Sequence, residues 1–354
     1  LGKAIENAFS IEFIALKKPL KPTPADIFTI QDPTSFNEVA MAIFRYQSAE
    51  NPVYKKYIET LGLKSTEITS LKQVPFLPVE FFKNFEVLSG PQSTDAVTFT
   101  SSGTTGMSVS KHTVSDISIY ETSFRKGFEL FYGKIKDYAI FALLPSYLER
   151  EGSSLIYMMN DLIRLSENGH SKFYLDHTEE MLGWLSMREE FLKKPENKGK
   201  KNLLIGVTYA LLDLIEHQNL KLESTIVMET GGMKGKRKEM IREELHDVLC
   251  KGFGVDVIHS EYGMTELLSQ AYSKGDGIFN CPPWMQILIR DTNDPFSYLE
   301  YGRSGGINII DLANINSCSF ISTHDLGKKF SDGSFEVLGR FDNSDIRGCN
   351  LLVQ

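Results

Sequence analysis

Cysteine is scarce in this 354-residue sequence: Cys250, Cys281, Cys318 and Cys349 are the only four, far apart and with no CxxC pair. That spacing argues against a disulfide framework or a structural zinc site and fits a reducing cytoplasm. The seven histidines show no metal-ligand spacing. No apolar run approaches membrane-spanning length, and no charged-then-apolar signal pattern opens the chain, which starts at Leu1 and reads as trimmed of its natural start. Basic residues are the minority, 38 against 46 acidic, for a net charge of −8. Generic nucleic-acid binding needs a basic surface and is not expected. The one dense basic run, Lys234-Gly235-Lys236-Arg237-Lys238, reads as a solvated helix start. Internal repeats and low-complexity segments are absent.

What is present suits a globular protein, long enough for one large or two ordinary domains. Residues up to about Lys21 have a helical rhythm in Ile5, Phe9, Phe13 and Leu16. A link with Pro19, Pro22 and Pro24 follows. Ser35 to Tyr46 reads as a helix capped by Ser35, with Glu38 at capping-box spacing. Pro75-Phe76-Leu77-Pro78 interrupts regular structure ahead of the apolar segment Val79 to Lys83.

From Val97 strand-like and helix-like stretches alternate. Strands are expected at 97–100, 138–144, 203–207, 225–229 and 255–259, with helices at 115–132, 153–165, 209–217 and 236–249. Such alternation predicts an α/β fold, a largely parallel sheet flanked by helices, with its site beyond the carboxyl ends of the strands. After Asn280, short strand-like runs at 285–290, 306–312, 317–323 and 334–339 predict a smaller, mostly antiparallel β subdomain. The expected organisation is a helical region 1–96, an α/β core 97–280, a β subdomain 281–338 and a tail 339–354.

Four stretches carry chemistry. Ser101-Ser102-Gly103-Thr104-Thr105-Gly106 follows a strand and precedes a helix, an arrangement whose glycines and freed N–H groups can hold a phosphate. It is not a Walker A sequence, because Met107 stands where that motif has Lys; a polar surface turn is the alternative. In Glu261-Tyr262-Gly263-Met264-Thr265-Glu266, Gly263 permits a tight turn, Thr265 offers a hydroxyl and Glu266 a hard carboxylate oxygen for Mg²⁺. Alternatively, Thr265 caps a helix. Asp325 at a strand end could accept bonds from ribose, or form a turn before Gly327. Gly339-Arg340-Phe341-Asp342 offers Arg340 to a nucleotide, or is a hairpin turn. His112, His259 and His324 are candidates for pocket contacts only, and no general base is assigned.

In this order the four stretches resemble the core motifs of the adenylate-forming superfamily, which activates carboxylic acids as acyl adenylates. The resemblance implies the superfamily's large domain. It implies that Ser101 to Gly106 hold the ATP phosphates and that Tyr262 to Thr265, with Glu261 beside them, contact the nucleotide. It assigns Glu266 to Mg²⁺, Asp325 to ribose, Gly339 to Asp342 to the hinge, and Thr230-Gly231-Gly232 to the adenine pocket. Two departures narrow the match. Met107-Ser108-Val109-Ser110 intervenes before Lys111, where the usual loop has its lysine sooner. The chain also stops soon after the hinge, without the usual small C-terminal domain. It therefore looks like the acyl-protein synthetases of the LuxE type, which end in a short cysteine-bearing tail and share the segment Pro75 to Lys83. The resemblance implies catalysis by Thr265, Glu266 and Cys349, the last as acyl acceptor, with a fatty acid as substrate and an acyl-CoA reductase-like partner. An acyl- or aryl-CoA ligase using CoA directly, and an inactive nucleotide-binding subunit, are the alternatives.

Overall fold

Proline and a capping side chain start each of the first helices of the computed structural model, which describes residues 19–101, 109–145, 152–216, 219–231 and 240–340. These are α1 (Pro24–Phe28) behind Thr23, α2 (Pro33–Glu50) behind Asp32 and α3 (Pro52–Thr60) behind Asn51. Proline fits the first helical position because its missing N–H would have no partner there. The α2 cap differs from expectation. Asp32 accepts from the Thr34 and Ser35 N–H groups, and Ser35 is the third helical residue rather than the cap. The expected N-terminal helix lies outside the described residues.

The helices dock through buried amides. Gln47 Nε2 donates to the carbonyls of Asn314 (2.9 Å) and Ile315 (3.1 Å), and its Oε1 accepts from Ser319 N–H at 2.9 Å. Asn51 Nδ2 donates to Ser317 O at 3.0 Å. Next come β1 (Leu77–Pro78) and α4 (Phe81–Asn84).

The sequence places a helix directly after the Ser/Gly loop. Instead β2 (Val97–Thr100) and β3 (Lys111–Val114) pair antiparallel across that loop as a separate two-stranded sheet, and α5 (Ile117–Tyr132) follows β3. A four-residue strand whose partner lies across a loop leaves no periodicity to read.

Alternation then proceeds as expected through β4 (Tyr138–Leu143), α6 (Ser154–Ser166), β5 (Lys172–Phe173), α7 (Thr178–Leu192), β6 (Lys201–Gly206), α8 (Thr208–Glu216), β7 (Thr225–Glu229), α9 (Arg242–Phe253) and β8 (His259–Tyr262). All neighbours in the run β5-β4-β6-β7-β8 are parallel. Every residue of β4 is buried, as a strand covered on both faces requires. Two elements depart from the sequence reading. Helix α7 was not anticipated, because its buried face includes Arg188 and Glu189; Glu189 accepts from Ser224 N–H (2.9 Å) and the Thr225 hydroxyl (2.5 Å). Strand β8 starts where the expected strand ends and so runs into the Tyr262 motif.

The remaining strands are β9 (Ala271–Ser273), β10 (Ile278–Asn280), β11 (Met285–Arg290), β12 (Ser304–Asp311), β13 (Phe320–Lys329) and β14 (Phe335–Arg340). The order β11-β12-β13-β14-β10-β9-β8-β7-β6-β4-β5 makes one hydrogen-bonded sheet, with β1 beside β13. It runs unbroken across residue 280, so its antiparallel half is built directly onto its parallel half. Strand β13 reaches further than the expected 317–323 run, and Asp325 lies within it opposite Arg340, not in a turn. Among the described residues no helix is long and apolar enough to cross a membrane.

Gln47→Ala should destabilise the protein by roughly 2–4 kcal/mol, because it strands the Ser319 N–H and removes two donors from buried carbonyls. A urea-unfolding midpoint unchanged from wild type would show that this amide does not hold α2 to the sheet.

Candidate active site

The carboxyl ends of β8 and β14 meet the middle of β13 at one place. Tyr262, last in β8, donates its hydroxyl to Asp325 Oδ2 at 2.6 Å. Arg340, last in β14, donates Nε–H to Asp325 Oδ1 at 3.0 Å. Both oxygens of a buried carboxylate are thus engaged. The Arg340 side chain is 73% exposed, so burial takes little from its charge, and Asp325, with Tyr262 and Glu266, lifts its pKa above the ordinary value. Burial, then Asp325, pushes the Tyr262 phenol far above its usual range, so it stays a donor. The Tyr262 ring packs edge-on to Phe279 and Phe335, with centroids 5.9 and 5.7 Å away. Met264 Sδ lies 3.9 Å from the Tyr262 hydroxyl.

Beyond Tyr262 the chain turns at Gly263 and is held by side chains from three elements. His112 Nδ1 meets the Thr265 carbonyl at 2.8 Å and must carry the proton, since a carbonyl only accepts. Burial pushes this imidazole down to about 4, and Phe82 of α4 packs edge-on to it at 5.4 Å. Asn314 Nδ2 donates to the Glu266 carbonyl at 2.8 Å. Asp311 accepts from the N–H groups of Leu268 (2.7 Å) and Ser269 (2.9 Å) and from the Ser269 hydroxyl (2.6 Å). Burial raises the Glu266 carboxyl, opposed by the Ser110 hydroxyl and by the charges of Arg340 and Lys83. Of the three histidines expected near the pocket, His112 reaches the motif, on its backbone; sequence reasoning missed Lys83 and Asn314, which come to it only through tertiary pairing.

Two further parts flank the turn. Ser101 and Ser110 close the base of the β2–β3 hairpin, Ser110 N–H donating to Ser101 Oγ at 2.9 Å and Ser101 N–H to Ser110 O at 3.1 Å. Ser102, Gly103, Thr104, Thr105 and Gly106 lie outside the described residues, as do Gly232 and Cys349. Gly231 has φ +73°, the left-handed region open to glycine, and donates its N–H to Glu229 Oε2 at 2.5 Å. Burial favours the neutral form of Glu229, but His246, Arg242 and this N–H prevail and lower its pKa.

The structure therefore gathers Tyr262, Asp325, Arg340, Thr265 and Glu266, with Ser101 and Gly231 at the margins. It does not gather Glu261, which alternates to the opposite face of β8, on the side of its register partner Tyr272. Burial, with Glu229 adding, pushes the Glu261 carboxyl up to about 8. The other candidates have local partners. His259 Nδ1 lies 3.2 Å from the Tyr132 hydroxyl, and His324 pairs with Glu80. Burial pushes the Cys281 and Cys318 thiols up to about 12 and raises Cys250 as well, so none of the three is a ready thiolate.

The family model for acyl-protein synthetase, LuxE, matches residues 20–354. The fold is similar to 2-hydroxyisobutyryl-CoA ligase solved in an open conformation with 2-HIB-AMP and CoA (TM-score 0.66, 12% identity, 90% of this chain and 78% of that one). It is also similar to ATP-bound MatB from Rhodopseudomonas palustris (TM-score 0.50, 16% identity, 69% of this chain and 47% of that one). At these identities the likeness is one of fold, the large domain expected from the sequence. A search of curated proteins finds no match.

Glu261 sets a pH test. Its folded carboxyl sits near 8 against an ordinary 4.5, so between those values the folded chain keeps a proton that the unfolded chain releases. This group's contribution to stability falls as pH rises through that window. Glu261→Gln should therefore unfold roughly 2–4 °C above wild type at pH 8, with the gap closing toward pH 4.5. A variant less stable than wild type at pH 8 would contradict this account.

Proposed function

Because the chain belongs to the acyl-protein synthetase family LuxE, we propose that it activates a carboxylic acid with ATP and passes the acyl group to a cysteine thiol. The observation that carries this reading is the meeting of Tyr262, Asp325 and Arg340 with the Thr265–Glu266 turn. In the first half-reaction an acid oxygen attacks the α-phosphorus of ATP. The bond to the bridging oxygen breaks, and pyrophosphate leaves with that electron pair, giving acyl-AMP. In the second, a thiolate attacks the acyl carbonyl and AMP departs as its phosphate, leaving a thioester.

The acid is already ionised near neutral pH, so the first step needs positioning and charge neutralisation more than a base. Asp325 suits the ribose hydroxyls and the Tyr262 ring the adenine. Arg340 and Lys83, whose charges both reach Glu266, suit the phosphates. Glu266 and the Thr265 hydroxyl are hard oxygen donors that fit Mg²⁺. Mg²⁺ is commonly held by one or two carboxylates plus substrate phosphates. When bound, Mg²⁺ would offset charge growing on the phosphates. Ser101 to Gly106 would surround those phosphates, and Gly231-Gly232 the adenine.

Within this reading residues 1–96, 97–280 and 281–338 are the helical, α/β and β parts of one adenylation domain. Residues 339–354 are the tail that presents Cys349. A fatty acid is the expected substrate; a groove of about 610 Å³ beside the end of β4 has an apolar wall of Leu143, Leu175, Leu182, Ala210 and Leu214 and a polar one of Thr178, Glu179 and Asp213. An acyl-CoA reductase-like protein in the cytoplasm would take the acyl group onward.

Intact-protein mass spectrometry after incubation with Mg-ATP and a fatty-acid panel tests the whole scheme. A hydroxylamine-labile acyl adduct is expected on wild type and not on Cys349→Ala. Accumulated acyl-AMP without adduct would sink the protein-thiol step and point to CoA as acceptor. Separately, Asp325→Ala should weaken nucleotide binding roughly 10–100-fold, the value of a hydrogen bond to a charged group. Unaltered ATP affinity by calorimetry would remove Asp325 from the site.

A further inference from the structure

The face of β8 turned away from Tyr262 carries polar groups that the adenylation scheme does not use. Glu261 is 8% exposed, and no described residue donates a hydrogen bond to its carboxyl. Gln270 is 5% exposed, and its Oε1 is buried without a partner. The two side chains converge. A Cβ placed on Gly263 would stand 2.5 Å from Glu261 Oε1 and 3.6 Å from Gln270 Cγ, so both border the turn that leads from Tyr262 to Thr265. Two nearby hydroxyls are committed elsewhere: Tyr120 donates to Ser154 O at 3.0 Å, and the Tyr132 hydroxyl lies 3.2 Å from His259 Nδ1.

A buried carboxyl to which no described residue donates, beside a buried amide oxygen without a partner, costs stability and returns none to the fold. The arrangement makes sense when a ligand brings the donors. We infer that Glu261 and Gln270 form a specificity subsite for a hydroxyl or ammonium group carried by the acid substrate close to its carboxyl group. The inference rests on the adenylation reading above and narrows it. The preferred acid bears a hydrogen-bond donor near the end that is activated, whatever the length of its apolar remainder. Gly263 belongs to the same design, since a side chain there would press on Glu261 Oε1 and on Gln270 Cγ. An unsubstituted acid would leave both acceptors unpaired, and sites built around such bonds discriminate strongly against the analogue that lacks them.

ATP–pyrophosphate exchange tests this with three acids of matched length: unsubstituted, hydroxylated and aminated near the carboxyl group. Wild type should favour at least one of the substituted acids by about tenfold or more in kcat/KM. Glu261→Leu should reverse that preference. Glu261→Gln, which keeps the shape, should retain the hydroxy acid and lose the amino acid; Gln270→Leu should weaken both. Protection against thermal unfolding by the free acids gives a readout independent of turnover and should follow the same order. Equal kcat/KM for all three acids overturns the subsite and leaves adenylation standing, as does a preference that survives both Glu261 variants. No exchange with any acid overturns adenylation itself, and the subsite falls with it.

Discussion

A buried carboxylate organises the region around the site. Asp311, at the end of β12, has no solvent exposure and accepts from the N–H groups of Leu268, Ser269 and Ala313 and from the Ser269 hydroxyl. Burial still pushes its pKa up to about 6, against the four hydrogen bonds that favour the charged form. Its donors sit immediately after the Thr265–Glu266 turn. Ser269 in turn accepts from Trp284 Nε1 at 3.1 Å and lies 3.0 Å from the Ser123 hydroxyl of α5. One side chain of the antiparallel half thus fixes a turn at the carboxyl end of the parallel half. Either half alone would leave those backbone groups without partners.

The same logic recurs around the turn. The carbonyls of Thr265 and Glu266 are held by His112 and Asn314, side chains 153 and 48 positions away in sequence. His112 is braced by Phe82, and Asn314 belongs to the connection that Gln47 grips from α2. The N-terminal helices therefore act on the site at one remove, through the loops they immobilise. Positions that bind backbone in this way tolerate few substitutions, because removing one partner leaves the other buried and unsatisfied.

Local pattern and long-range pairing divide what the sequence made legible. The alternating run from Tyr138 to Glu229 was readable because buried parallel strands are continuous apolar stretches and their helices carry apolar stripes. The Tyr262 and Asp325 motifs were readable because they pack distinctive chemistry into few residues. Strand β3 was not, being four residues whose partner lies across a loop. Helix α7 was not, because Arg188 and Glu189 occupy positions where a periodicity search expects apolar side chains. Asp325 reads as a strand end, with a turn before Gly327 as the alternative, and its pairing with Arg340 shows it to be mid-strand. Glu261 sat inside a motif whose other members face the opposite way, a distinction set by strand alternation and invisible to a motif read as a unit.

The double hold on Asp325 has a thermodynamic corollary. Tyr262 takes one oxygen and Arg340 the other, yet a carboxylate has about four acceptor sites, so each oxygen keeps one to offer. A ligand diol can add its bonds without displacing either donor. The phenol and the guanidinium hold the carboxylate in place beforehand, so little side-chain freedom is left to lose when a ligand arrives.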